Sequence, residues 1–139
     1  VQLAVNALDL AGDMWMFGDE PRPAQEEAVE AAGAAGVPVV GIRAVAAGAL
    51  TSGIDRAVEP DSTVARDFAR AAGFRALAAE LGQTPEDLAH RWALTAPGIA
   101  TVVLGVKNRA ELEACLAAEA RGPLAPDELE AIEQLRARA

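Results

Sequence analysis

Three short apolar runs, held apart by helix-like sequence, constrain this chain more than any other feature. They cover residues 1–8, 37–42 and 101–106. The first is broken only by Gln2 and Asn6 and ends at Asp9. Its length suits a buried parallel strand, although periodicity alone leaves a helix open. The second carries Pro38 at its start, where a proline costs the ladder little. Between these two runs lie a loop over 11–23, with Gly12, Gly18, Pro21 and Pro23, and a helix over 24–35. That helix sets Ala28, Ala31, Ala32 and Ala35 along one face, with Gly36 at its C-terminal stop.

The interval between the second and third runs is longer. A connection over 43–63, with Gly48, Gly53 and Pro60, exceeds the usual βα loop, and such lengths more often serve function than not. A helix over 64–81 follows, with Phe68, Ala71, Leu77 and Leu81 near one stripe. A second helix opens with Thr84 as N-cap, Pro85 at the first helical position and Glu86 and Asp87 in the first turn. It buries Leu88, Ala89 and Trp92 and stops at Pro97-Gly98. After the third run Asn108 caps a helix over 109–120, with Glu111 as its reciprocal capping partner. Pro126 begins a last helix, in which Leu129, Ile132 and Leu135 recur every three residues.

Strands alternating with helices require a parallel sheet with helix-covered faces. Three strands with two apolar edges are an aggregation hazard unless something pairs with them. The pattern fits a small open α/β domain as well as it fits three of the eight units of a barrel. Residues 1–139 are read as one domain, and a start inside a strand, without a methionine, carries the expectation of a fragment.

Charge and cysteine usage exclude several classes. A net charge of −9, with eleven arginines scattered among more numerous acids, excludes a nucleic-acid backbone as partner. No apolar run approaches the ~18 residues of a membrane span, so no membrane partner is expected. Cys115 is the single cysteine, so no internal disulfide forms and a cytoplasmic location is expected.

Candidate chemistry concentrates in residues 104–111, where a strand ends, Gly105 permits close backbone approach, and a capped helix begins beside Lys107 and Arg109. Free N–H groups at a helix N-terminus plus a cation form an anion site. On local chemistry alone a plain connection with solvated charges is the more ordinary reading. A second candidate is the end of the middle strand, Ile42-Arg43, with small residues up to Gly48 that would let a ligand lie on the backbone. Flexibility alone explains the same composition, and Arg43 serves an ion pair as readily as a ligand. His90 lacks any companion for a metal site and reads as surface or partly packed. Cys115, mid-helix among alanine and leucine, reads as buried packing. Met14, Trp15, Met16 and Phe17 either line a pocket or cover a neighbouring helix. The acids Glu26, Glu27 and Glu30, and Glu128, Glu130 and Glu133, read as solvated faces.

Taken in order, these segments resemble the second half of the aldo-keto reductases over essentially the whole chain. Residues 1–9 look like the family's sixth strand, and 39–51 like its seventh strand and the loop over the pyrophosphate. Residues 83–94, with Pro85, Leu88, Ala89 and Trp92, are similar to the helix before strand eight, and 101–116 to strand eight and the helix gripping the 2′-phosphate. The resemblance implies the C-terminal portion of a (β/α)8 TIM barrel, α/β in class, with three parallel strands and flanking helices. It implies NADP as cofactor, with Gln2 on the nicotinamide carboxamide, Ile42 and Arg43 in the nicotinamide-stacking and following serine positions, and Gly105, Lys107, Asn108, Arg109 and Glu111 around the adenosine phosphate. Where relatives often place Glu-Asn against adenine, this chain has Ala114 and Cys115.

The family's Asp, Tyr, Lys and His tetrad lies in the first half of such a barrel, and this sequence contains no tyrosine. The resemblance therefore implies a cofactor-binding part. Its partners would be the missing N-terminal half and, in the complete protein, a small-molecule carbonyl substrate. The alternative is a non-catalytic half-barrel that binds a nucleotide or pairs with another chain.

Overall fold

The computed structural model of the chain describes residues 1–10 and 22–138. Its sheet has three strands, β1 (Gln2–Ala4), β2 (Val39–Ile42) and β3 (Ile99–Val102), in spatial order β1-β2-β3. Both pairings are parallel, with Gln2 opposite Val40, Ala4 opposite Ile42, and Gly41 opposite Val102. Helix α1 (Gln25–Ala34) connects β1 to β2. Helices α2 (Thr63–Arg70), α3 (Ala72–Glu80) and α4 (Pro85–Thr95) lie between β2 and β3, and α5 (Arg109–Ala120) and α6 (Pro126–Arg136) follow. The α/β class and the strand-helix order agree with the sequence reading. The loop over 11–23 and the cluster from Met14 to Phe17 fall largely or wholly outside the described residues.

Two strands are shorter than, or displaced from, their apolar runs, for physical reasons. The first run extends to residue 8, yet β1 ends at Ala4 because the buried Asn6 side chain takes over the backbone there. Its Oδ1 accepts from the Leu8 and Leu10 amides at 3.3 and 2.9 Å, and its Nδ2 donates to the Leu10 carbonyl at 2.7 Å. Gln25, at the start of α1, completes the knot: its Oε1 accepts from Asn6 N and its Nε2 donates to Asn6 O, both at 2.9 Å. The third strand covers 99–102 rather than 101–106. Beyond Val103, whose amide still donates to Gly41 O at 2.8 Å, β3 loses its neighbour because β2 turns away at Arg43 with φ 62°.

The single helix expected over 64–81 is two, divided at Ala71. The Arg75 guanidinium occupies the bend, donating to Phe68 O at 2.7 Å and to Ala49 O at 3.0 Å, and stacks 3.7 Å from the Phe68 ring. Capping follows the sequence closely elsewhere. Thr84 Oγ1 accepts from Asp87 N at 3.1 Å to start α4, and Asn108 Oδ1 accepts from Glu111 N at 3.0 Å to start α5. Each such cap satisfies an amide that the helix itself leaves without a partner.

The core gathers Leu50, Phe74, Leu88 and Ile132, all fully buried, where α3, α4 and α6 meet. Each such side chain contributes about 1.5–3 kcal/mol by leaving water. Helix α4 is covered so completely that Leu88 through Ala93 are all buried, including His90 and Arg91. His90 is thus a core residue, 8% exposed, and not the surface or partly packed side chain expected. Arg91 is held by five acceptors: Gly122 O, Pro123 O, Gln83 Oε1 and both oxygens of Glu128. This network fastens α4 to α6, so Glu128 is a buried-network member and not part of a solvated face.

Candidate functional site

The loops that leave β2 and β3 meet ahead of α5. Lys107, exposed, forms ion pairs with Asp55 of the β2 loop and, at 3.3 Å, with Glu111 of α5. Glu111 also folds back on the backbone, its Oε2 accepting from Lys107 N at 2.8 Å. It was expected to reach the amide of the capping residue; the amide it takes is one position earlier. The three groups shift one another in the ordinary sense of an ion pair. The Lys107 ammonium lowers the Asp55 carboxyl below its usual value, chiefly through their hydrogen bond. Asp55 in turn raises Lys107, and the Lys107 amide lowers Glu111.

Of the sequence candidates, Gly105, Lys107, Asn108 and Glu111 are brought together at this helix start. Gly105 faces open space, since a Cβ placed there would meet nothing within 4 Å. Arg109 turns along the helix to Glu113 at 2.7 Å, an exposed pair directed away from the loop. Ile42 ends the middle strand, one strand over, and Arg43 begins the turn that follows it. Gln2 lies on β1, the strand that does not touch β3. Ala114 is exposed on α5, whereas Cys115 is buried, its Sγ 3.7 Å from His90 Nδ1. Burial depresses the His90 pKa and raises that of Cys115.

Sequence reasoning passed over two features. Asp55 sits in an irregular connection with no periodicity or motif to mark it, and nothing local shows that it reaches Lys107. The backbone of the same connection concentrates left-handed conformations at Arg43, Ala46 and Ala47, with φ of 62°, 47° and 56°. Such conformations are unfavourable for side-chain-bearing residues and gather at ligand-contacting segments. Arg56 supports this turn by donating to Ala47 O at 3.1 Å, and Ser52 ties it to α4 through Glu86.

A lysine paired with two carboxylates, an open glycine, a capped helix N-terminus and a strained turn thus lie at the ends of adjacent strands, where ligands of α/β proteins commonly bind. Among the described residues no cluster of three or more metal-ligating side chains accompanies them, and no helix is long and apolar enough to cross a membrane. The chain belongs to the aldo/keto reductase family, whose model matches residues 6–137. That places it among oxidoreductases built on a TIM barrel and generally served by a nicotinamide dinucleotide. A comparison with curated proteins finds no match.

Proposed function

We propose that this chain supplies the dinucleotide-phosphate side of an NADP-dependent aldo/keto reductase, as the C-terminal arc of the family's barrel. The observation that carries the reading is Lys107, the only lysine of the sequence, held beside open Gly105 at the capped start of α5. In this reading Lys107 and the first-turn amides of α5 take the 2′-phosphate, and Asn108 holds the helix start in place. The strained turn after Ile42 and Arg43 lies along the pyrophosphate, and Gln2 orients the nicotinamide carboxamide. When bound, the nicotinamide supplies the hydride that reduces an aldehyde or ketone. The proton must come from outside this sequence, which has no tyrosine. A cytoplasmic location accords with these expectations.

Titration calorimetry with NADPH, NADH and 2′,5′-ADP tests the proposal. NADPH and 2′,5′-ADP should bind with similar affinity and more tightly than NADH. Equal affinity for NADPH and NADH would remove the role of Lys107.

The sheet edges also admit a second reading. Among the described residues β1 and β3 each pair on one side only; Val103, just past β3, and Leu112 and Leu116 of α5 are 53%, 46% and 59% exposed. These edges suit further barrel strands, from the N-terminal half of the family's barrel. In the alternative they suit a second chain, and the half-barrel then binds a nucleotide without catalysis. Sedimentation of the protein alone and with the complementary barrel half separates the two: self-association favours the second.

A further inference from the structure

A cavity of about 540 Å³ lies between α1, α4, β3 and α6, and none of the candidate cofactor residues lines it. Its size falls within the ~300–1,000 Å³ typical of small-molecule sites. The walls are apolar, formed by Val29, Trp92, Ile99 and Leu129 among others. Thr95 also borders it, but its hydroxyl is committed, donating to Arg91 O at 2.6 Å and accepting from Leu124 N at 3.0 Å.

The rim is charged, and asymmetrically. Glu26 and Glu30 stand one turn apart on α1, a spacing that puts both on one helix face. From α6 come Glu133 and Arg136, and Arg136 pairs with Glu26 and, at 3.0 Å, with Glu133. Its guanidinium also lies 5.9 Å from the Trp92 ring centre. Glu30 forms no ion pair among the described residues. Among the described lining residues one cation thus pairs with two of three carboxylates, leaving the mouth negative beside Trp92.

We propose that this cavity binds an amphipathic organic cation. Its aryl or alkyl body would fill the space against Trp92, and its ammonium would sit among Glu30, Glu26 and Glu133. An anion would face uncompensated carboxylates, and a neutral guest would gain only the apolar contact. The site is independent of the dinucleotide reading, because it shares no residue with the start of α5.

Three probes of one shape test it: phenylbutylamine, phenylbutanol and phenylbutanoate. Binding to the protein is followed by calorimetry and by the Trp92 indole resonance, assigned with a Trp15→Phe variant. The amine should bind about five-fold more tightly than the alcohol, the range an exposed ion pair supplies, and should weaken with salt. Glu30→Gln should cut the affinity of the amine several-fold and leave that of the alcohol unchanged. Leu129→Trp, which fills the space, should abolish both. Circular dichroism confirms that each variant is folded; Glu30 is exposed, so its replacement touches no core contact. Equal binding of all three probes, preference for phenylbutanoate, or no binding of the amine would overturn the proposal.

Discussion

Lys107, just ahead of α5, is ion-paired with Asp55, fifty-two residues earlier in the connection after β2. The pair ties the two loops that leave adjacent strands, so the proposed phosphate-binding cation is already held by a protein carboxylate. Any anion arriving at α5 competes with Asp55 and Glu111 for the same ammonium. Both side chains of the interloop pair are more than half exposed, so the contact is readily exchanged.

Replacing the cation should therefore be felt selectively. Lys107→Met is expected to weaken NADPH binding about ten-fold, the order of a lost charge-assisted phosphate contact, while NADH changes little. Asp55→Asn should act in the opposite direction and strengthen NADPH binding several-fold. Parallel calorimetric titrations of both variants check the pair of signs.

The acid dependence of the loop contact follows from the same three groups. Asp55 and Glu111 are lowered from 3.8 and 4.5, so their contribution is complete above those values and disappears as pH falls through the lower folded ones. Lys107 is raised from 10.5, so its share is complete below that value and disappears as pH rises through the folded one. Carboxyl carbon titration by NMR should show the Asp55 midpoint rising toward 3.8 in Lys107→Met.

Among the described residues Arg91 and Glu128 form the most buried ion pair. Their side chains are 7% and 14% exposed, and Arg91 loses five acceptors if truncated. Arg91→Ala is expected to destabilise the protein by about 3–5 kcal/mol in urea unfolding. Burial raises the Glu128 pKa, but the Ala125 amide and Arg91 outweigh it and the net shift is downward. Stability from this pair should thus be present above 4.5 and decline as pH falls through the lower folded value.

Gly98 turns the chain from α4 into β3 at φ +78°, and a Cβ there would lie 2.6 Å from Val29 Cγ1. Gly98→Ala should lower stability by about 1–3 kcal/mol, from the left-handed backbone together with the displaced valine. Gly105→Ala, in open space, should change it far less. Thermal melts of the two variants make the comparison.

His90 should leave its own mark on stability. Burial lowers its pKa from 6.5, so the fold favours the neutral ring. That contribution is complete above 6.5 and diminishes as pH falls toward the lower folded value. Urea midpoints at pH values on either side of this window should fall on the acid side, and His90→Gln should flatten the change.

The sequence alone determined the order of strands and helices, the caps at Thr84 and Asn108, and the family. These are local matters: a threonine before Pro85, or an asparagine three residues before Glu111, meets backbone amides a turn away whatever the rest of the chain does. The cluster at Gly105, Lys107, Asn108 and Glu111 was legible for the same reason, being contiguous around one helix start. What lay beyond reach depended on groups far apart in the chain. Asn6 cut short an apolar run only because Gln25 folds onto it. Arg75 divides a helix by reaching Ala49, and Asp55 acquires meaning only where two loops converge. The proposed site residues remain dispersed over β1, the end of β2 and the start of α5, with Gln2 on the edge strand opposite β3. The cavity over Trp92 likewise arises from packing α6 across α1 and α4. Backbone hydrogen bonding fixes what neighbours in sequence do, whereas burial and charge pairing between distant elements appear only when tertiary packing selects the neighbours.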